Sequence, residues 1–143
     1  MILCDASPLF ALVDTKQPAA NARCKAVLPL LSRPLITTWP AYTEAMYLVY
    51  REGGWPLQRL LWRYVLTGQL IFHRADESEQ KRMAELMEQY RNIPMDFADA
   101  SLVTAAESLN ISRIFTLDSD FFVYQRHGNQ PFEVIPSWPV SSV

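Results

Sequence analysis

The spacing of hydrophobic positions changes repeatedly along the chain, which predicts strands and helices in alternation. Short apolar runs, typical of buried strands, occupy residues 2–4, 35–37, 70–72, 113–117 and 132–135. Between them, apolar side chains recur every three to four residues, which predicts helices that begin after residue 7 and over 19–31, 40–52, 56–67, 77–90 and 97–109. Strands alternating with helices are typical of βαβ units. We therefore expect an α/β fold with a central parallel sheet and helices on both faces.

Capping and helix-breaking residues set the predicted ends of these elements. Ser7 and Pro8 are expected to be the N-cap and first residue of the first helix. Pro29 should disturb the last turn of the helix over 19–31, because proline has no N–H to donate. Thr38 is expected to cap the helix over 40–52. A short helical turn is predicted at Phe121, and the residues after 135 receive no assignment.

We expect residues 1–143 to form a single domain, because half of the side chains are hydrophobic and suffice for one core. No apolar run approaches the roughly 18 residues that cross a membrane. Asp5 also interrupts the N-terminus where a signal peptide would stay apolar, so we expect a cytoplasmic protein without membrane contact. The net charge of −2 argues against a domain that holds nucleic acid by positive charge alone. It does not argue against a nuclease.

Two acids three residues apart, Asp96 and Asp99, stand at the predicted start of the last long helix. Residues at this spacing share one helix face. One interpretation makes Asp96 the N-cap and Asp99 a first-turn acid that the helix dipole favours. The other places the pair in a site with acids from elsewhere in the chain. We expect Asp96 to serve mainly as the cap and Asp99 mainly as a ligand.

The parallel topology brings further acids towards Asp99. Asp5 and Asp118 directly follow predicted strands, while Glu44 lies in an early turn of a helix that begins at the same edge of the sheet. Two like charges about 4 Å apart repel by roughly 4 kcal/mol at an effective dielectric of about 20, so four carboxylates in one cleft take up protons or bind a cation. Oxygen ligands without His or Cys suit Mg²⁺, with Mn²⁺ as a substitute. Because Mg²⁺ pairs readily with phosphate oxygens, the pattern predicts hydrolysis of a phosphodiester.

Four segments, taken together and in order, resemble a known family. They are Asp5 with Ser7 after the first strand, Thr43-Glu44-Ala45, residues 95–103 with Asp96 and Asp99, and Thr116-Leu117-Asp118-Ser119-Asp120-Phe121. These segments resemble the four motifs of PIN-domain ribonucleases, and more narrowly those of the VapC toxins of bacterial and archaeal toxin–antitoxin systems. The resemblance extends over nearly the whole chain.

The resemblance implies a PIN-like fold with a parallel sheet of about five strands. It implies that Asp5 and Asp99 are the principal Mg²⁺ ligands and that Glu44 and Asp118 complete the acidic pocket. Asp96, Asp120, Ser7 and Thr116 are expected to support these acids as caps, outer ligands or neighbouring hydroxyls. The family also implies a homodimer, a cognate antitoxin whose C-terminal segment covers the site, and RNA substrates, often transfer RNA. The expected activity is a metal-dependent endoribonuclease in which an activated water attacks phosphorus.

Other functions fit the sequence less well. A phosphatase that forms an aspartyl-phosphate needs a second acid two residues after the first, where this chain has Ser7. It also needs a lysine near the late motif, whereas Lys81 is the last lysine. A receiver-type signalling module fails for the same reasons. A catalytically silent PIN-like protein that binds RNA or a protein partner stays open as the alternative, although all four acids are present.

Residues 47–64 interleave aromatic side chains with arginines, namely Trp55, Trp62, Arg51, Arg59 and Arg63. One interpretation makes this helix pair a groove for RNA or antitoxin that uses stacking and phosphate contacts. The other makes its leucines part of the core and leaves the arginines in water. For the leucines we favour the core, and for the arginines both interpretations stay open.

Overall fold

The computed structural model describes residues 1–137, and a five-stranded parallel sheet lies at its centre. Its strands are β1 (Leu3–Cys4), β2 (Leu35–Thr38), β3 (Leu70–His73), β4 (Arg113–Phe115) and β7 (Glu133–Ile135), in the order β3-β2-β1-β4-β7. Strand β1 is the middle strand, with Leu3 opposite Ile36 of β2 and Ile114 of β4. The predicted parallel sheet is confirmed.

Within residues 1–137, six α-helices flank the sheet, and most of their bounds agree with the hydrophobic spacing. They are α1 (Ala6–Val13), α2 (Pro18–Val27), α3 (Trp39–Gly53), α4 (Trp55–Leu66), α5 (Glu77–Gln89) and α6 (Phe97–Leu109). Thr38 caps α3 as predicted, since its hydroxyl accepts a bond from the Ala41 N–H. The predicted helix over 19–31 is too long. It ends at Val27, and a 3-10 turn over Leu28–Leu30 follows because Pro29 cannot donate to the preceding turn.

The predicted cap of α1 is wrong. The helix begins at Ala6, and Asp5 is its N-cap, with its side chain accepting a bond from the Ala6 N–H. Ser7 therefore lies inside the first turn, where its hydroxyl is free to bond to a distant part of the chain. Because Asp5 caps α1, it has a structural role in addition to its predicted role as a metal ligand.

Alternate residues of β1 point into two separate cores, which places helices on both faces of the sheet as predicted. Ile2 and Cys4 pack with α1, α2, α3 and α4, whereas Leu3 packs with α5 and α6. Helix α6 is the most enclosed of the helices, since nine consecutive residues from position 98 to 106 are buried. An acid in the first turn of α6 is therefore buried together with the helix.

The chain after β4 differs most from the prediction. Strand β4 ends at Phe115 rather than at 117, because the next residues turn to bond with α1 and with each other. A 3-10 turn over Ser119–Phe122 agrees with the predicted helical turn. A small antiparallel hairpin follows, formed by β5 (Gln125–Arg126) and β6 (Gln130–Pro131), which the hydrophobic pattern did not predict. The unassigned segment after 135 lies mostly outside the described residues.

Helices α5 and α6 are joined by a bidentate ion pair. Arg82 Nε and Nη2 bond to the two carboxylate oxygens of Glu107 at 3.0 and 3.1 Å. The backbone N–H of His127, in the hairpin, donates to the same carboxylate. Glu107 therefore holds together both helices and the hairpin. Among residues 1–137, no helix combines the length and the apolar character that crossing a bilayer requires.

Candidate metal centre

The predicted acids converge where the order of the strands reverses. The chain moves outward from β1 to β2 and β3, and then returns to place β4 on the other side of β1. Ligand sites in open parallel sheets form beyond the carboxyl ends of the strands at such a point. Asp5 follows β1, and Asp118 follows β4 after a short turn.

Both carboxylate oxygens of Asp5 accept a hydrogen bond. Oδ1 accepts from the Ala6 N–H at 2.7 Å, and Oδ2 accepts from Thr116 Oγ1 at 2.7 Å. Asp5 is 4% exposed, and burial raises its pKa to about 7 although the bonds from Thr116 and Ala6 oppose the rise. The charges of Glu44 and Asp118 add to the rise. A bound cation stabilises the charged form of a buried carboxylate whose pKa lies near neutrality.

Thr116 and Ser7 tie the loop after β4 to the start of α1. Thr116 Oγ1 donates to Asp5 and accepts from the Asp118 N–H at 2.9 Å. Ser7 Oγ accepts from the Leu117 N–H at 3.0 Å and lies 3.4 Å from Thr116 Oγ1. These bonds hold the segment that carries Asp118 against Asp5. The two hydroxyl residues thus lie beside the acids, as predicted.

Asp96 and Asp99 form a reciprocal capping box at the start of α6. Asp96 Oδ1 accepts from the Asp99 N–H at 2.7 Å, and Asp99 Oδ2 accepts from the Asp96 N–H at 3.4 Å. Asp96 is therefore the N-cap, as predicted. Asp99 is buried, and burial raises its pKa to about 8, with the charges of Asp96 and Asp5 adding to the rise.

Three carboxylates approach one another closely enough to share a cation. Asp5, Asp99 and Asp118 each offer one oxygen, and these oxygens all lie within 4.8 Å of one another. They line a pocket of about 130 Å³ together with Glu44 and Asp96. Burial raises the pKa of Asp118; the bond from the Asp120 N–H opposes the rise, and the charges of Asp120 and Asp96 add to it.

Glu44 and Asp120 are placed differently from the three clustered acids. Glu44 lines the same pocket but does not belong to the group of three. Burial raises its pKa, with contributions from Asp96 and Asp118. Asp120 is half-buried and does not line the pocket, and its backbone N–H donates to Asp118 Oδ1 at 2.9 Å. Asp120 therefore acts on Asp118 and not on the pocket.

The donor set fits a hard divalent cation. Three oxygen ligands with raised pKa values face one small pocket, and no lysine or arginine is among the described residues that line it. Carboxylate oxygens and water are the ligands that suit Mg²⁺ and Mn²⁺, and Mg²⁺ usually keeps several of its waters. Burial and, to a smaller extent, mutual repulsion disfavour the charged form of these acids, and such an ion would stabilise it.

Sequence reasoning missed one side chain of the site. Tyr124 is fully buried, and its hydroxyl donates to Asp99 Oδ2 at 3.0 Å. Tyr124 lies just before the hairpin that the pattern did not predict, and its partner is 25 residues away. The only local signal was a tyrosine close to an acidic motif, which is too common to indicate a contact.

Neither family models nor curated proteins match this sequence. Among solved structures, one match is VapC20 of Mycobacterium tuberculosis, described as a sarcin–ricin loop cleaving toxin. The two structures agree with a TM-score of 0.80 at 17% sequence identity, over 92% of this chain and 100% of the VapC20 chain. This chain has the PIN-like fold of a VapC toxin. The fold expected from the four motifs is thereby confirmed.

Within the PIN-like fold, an open groove of about 730 Å³ adjoins the acidic pocket. Glu44 and Asp96 line both. Exposed aromatic side chains form much of the remaining wall, namely Trp39, Tyr47 and Phe97. The Trp39 ring is fixed, because it stacks on Phe72 with the centroids 3.9 Å apart and the planes 3° from parallel.

Residues 47–64 form the end of α3 and most of α4 in this PIN-like fold. Leu61 is fully buried, while Leu57 and Leu60 pack partly against the same core, which confirms the interpretation of the leucines. The guanidinium of Arg59 lies 5.6 Å from the centre of the exposed Trp55 ring. The arginines point outward, and their contact with RNA or antitoxin stays a prediction.

Proposed function

We propose that this chain is a metal-dependent endoribonuclease and the toxin of a type II, VapBC-like toxin–antitoxin pair. One observation carries the proposal. Asp5, Asp99 and Asp118 place oxygens within 4.8 Å of one another at the point where the strand order of a PIN-like sheet reverses. Carboxylates held so close together favour a bound cation over three free charges.

Asp5, Asp99 and Asp118 are the proposed ligands of Mg²⁺ or Mn²⁺, and Glu44 completes the acidic pocket. When bound, the cation stabilises negative charge on the phosphate and lowers the pKa of water. Glu44 lies in the pocket outside the group of three, and its raised pKa suits a base. We assign it the role of orienting the attacking water and accepting its proton. Thr116 and Ser7 keep Asp5 and the Asp118 loop in place.

A structured RNA is the proposed substrate, with transfer RNA and a sarcin–ricin loop as the first candidates. VapC20 is described as cleaving the latter. The aromatic groove beside the pocket offers exposed rings on which unpaired bases can stack. The proposal includes a homodimer, a cognate antitoxin that covers the site, and action in the cytoplasm, where such RNAs are found.

Cleavage of total RNA and of the two candidate RNAs tests the proposal. The chain should cut RNA with Mg²⁺ or Mn²⁺ and lose this activity in EDTA. Asp99→Asn should remove cleavage. Glu79→Gln is the matched control, because Glu79 has the same place in the capping box of α5 as Asp99 has in that of α6 and lies away from the pocket. Full activity of a folded, metal-depleted sample would contradict the proposal. Metal binding without any cleavage would favour the silent binding module instead.

A further inference from the structure

The hydroxyl of Tyr124 holds the carboxylate of Asp99 in place. Asp99 Oδ2 accepts the Tyr124 hydroxyl at 3.0 Å and the Asp96 N–H at 3.4 Å. One oxygen of the same carboxylate belongs to the group of three that could share a cation. The bond from Tyr124 therefore fixes the orientation in which Asp99 meets the other two acids.

The Tyr124 ring is held so firmly that its hydroxyl has little freedom. It makes T-shaped contacts with the rings of Tyr90 and Phe121, and the centroid of each of these rings lies 5.1 Å from that of Tyr124. The Tyr124 N–H bonds to the Asp120 carbonyl at 3.0 Å, and Tyr90 Oη accepts from the Gln125 N–H at 3.2 Å. Because the residue is also fully buried, the ring cannot turn away from Asp99 without opening this cluster.

We propose that Tyr124 is a positioning residue of the metal site, which fixes the orientation in which Asp99 presents its carboxylate to the pocket. The inference rests on the cation site of the proposed function. Mg²⁺ demands near-ideal octahedral geometry, so a carboxylate that is held in one orientation binds it better than one that can turn. Tyr124 therefore contributes to the affinity for the cation.

Titration of the metal-free chain with Mn²⁺, with the free ion followed by electron paramagnetic resonance and without RNA, tests this role. Tyr124→Phe keeps the ring and removes only the hydroxyl. Loss of such an outer bond lowers metal affinity about 10-fold or more.

Tyr90→Phe is the matched control, since it removes a hydroxyl from the same aromatic cluster without touching Asp99. Unchanged Mn²⁺ affinity in Tyr90→Phe beside weakened affinity in Tyr124→Phe supports the inference. Equal losses in both variants, or wild-type affinity in Tyr124→Phe, overturn it while the proposed function stands. A wild-type chain that binds no Mn²⁺ overturns both.

A second measurement decides the matter if Tyr124→Phe does not fold. In the wild-type chain labelled with ¹³C at Cζ of tyrosine, added Mg²⁺ should shift the resonance of Tyr124 and leave that of Tyr90 in place. The shift arises because the cation draws charge from the carboxylate to which Tyr124 donates. A Tyr124 resonance that stays unchanged while Mg²⁺ binds would overturn the inference.

Discussion

Thr116 donates a hydrogen bond to Asp5 Oδ2 at 2.7 Å, across 111 residues of chain. The same hydroxyl oxygen accepts the N–H of Asp118 at 2.9 Å. One small side chain thus fixes two of the three clustered acids relative to each other. The contact exists only because β1 and β4 are neighbours in the sheet.

Thr116→Val should weaken both metal binding and the fold. The bond from Thr116 opposes the rise in the pKa of Asp5, so its loss should move that pKa further above about 7. The onset of metal binding should shift to higher pH, and stability should fall by about 1–3 kcal/mol because buried polar groups lose a partner. Mn²⁺ titrations between pH 6 and 9 and urea unfolding measure the two effects. Thr116→Ser, which keeps the hydroxyl, should resemble wild type; a valine variant that does so would contradict the role of this bond.

The metal-free chain should become less stable as the pH rises from about 4 towards 8. Asp5 and Asp99 have pKa values raised to about 7 and about 8, so the folded chain holds protons that the unfolded chain has released. Their contribution to stability is complete below the unfolded pKa and is lost as the pH passes through the folded values. Mg²⁺ should reverse the loss at pH 8. Thermal unfolding at pH 5 and pH 8, in EDTA and in Mg²⁺, measures both effects.

Asp99→Asn supplies the control for this pH effect. An asparagine has no proton to lose here, so the decline in stability between pH 5 and pH 8 should shrink in the metal-free variant, as should the gain from Mg²⁺. A variant with the same decline as wild type would show that other groups cause it.

Substitutions of Asp96 should separate its capping role from the role of Asp99. Asp96→Ala should lower stability by about 0.5–2 kcal/mol, since the Asp99 N–H loses its cap. Asp96→Ser should restore most of this stability, because serine also caps helices. RNA cleavage should persist in both variants and disappear in Asp99→Asn. A folded Asp96→Ser variant without activity would mean that Asp96 itself is a ligand.

Glu107→Gln should loosen the contact between α5, α6 and the hairpin. Burial raises the pKa of Glu107, but the bonds from Arg82 and the His127 N–H outweigh it and leave the pKa below its ordinary value. Loss of this charge should lower the free energy of unfolding by about 1–3 kcal/mol near neutral pH. Glu85→Gln removes a more exposed partner of Arg82, 3.6 Å away, and should change stability by less than about 1 kcal/mol. Chemical unfolding measures both, and equal losses would contradict the central role of Glu107.

Local signals in the sequence predicted the elements and the side of the sheet on which the acids gather. Even the two-residue strand β1 was predictable, because an apolar run followed by Asp5 marks a buried strand end. The capping role of Asp96 was also local, since its partner is three residues away. Patterns of this kind depend only on residues that are close together in the sequence, and they can therefore be recognised without a structure.

The remaining features depend on partners that are distant in the sequence, so no local sequence pattern indicated them. Ser7 resembled a cap because Pro8 follows it, yet its hydroxyl bonds to the Leu117 N–H, 110 residues away. The hairpin β5–β6 has strands of only two residues each, too short for an alternating pattern. Tyr124 was missed for the same reason, because its bond to Asp99 follows from the packing of the hairpin against α6.

The position of β4 also bears on the synthesis of the chain. Three of the four predicted site acids lie within the first 99 residues, but Asp118 and the hydroxyl of Thr116 arrive only with the segment after β4. Before that segment emerges from the ribosome, one side of β1 has no partner and Asp5 has no bond from Thr116. A nascent chain therefore cannot assemble the acidic pocket until the segment that carries Thr116 and Asp118 has left the ribosome.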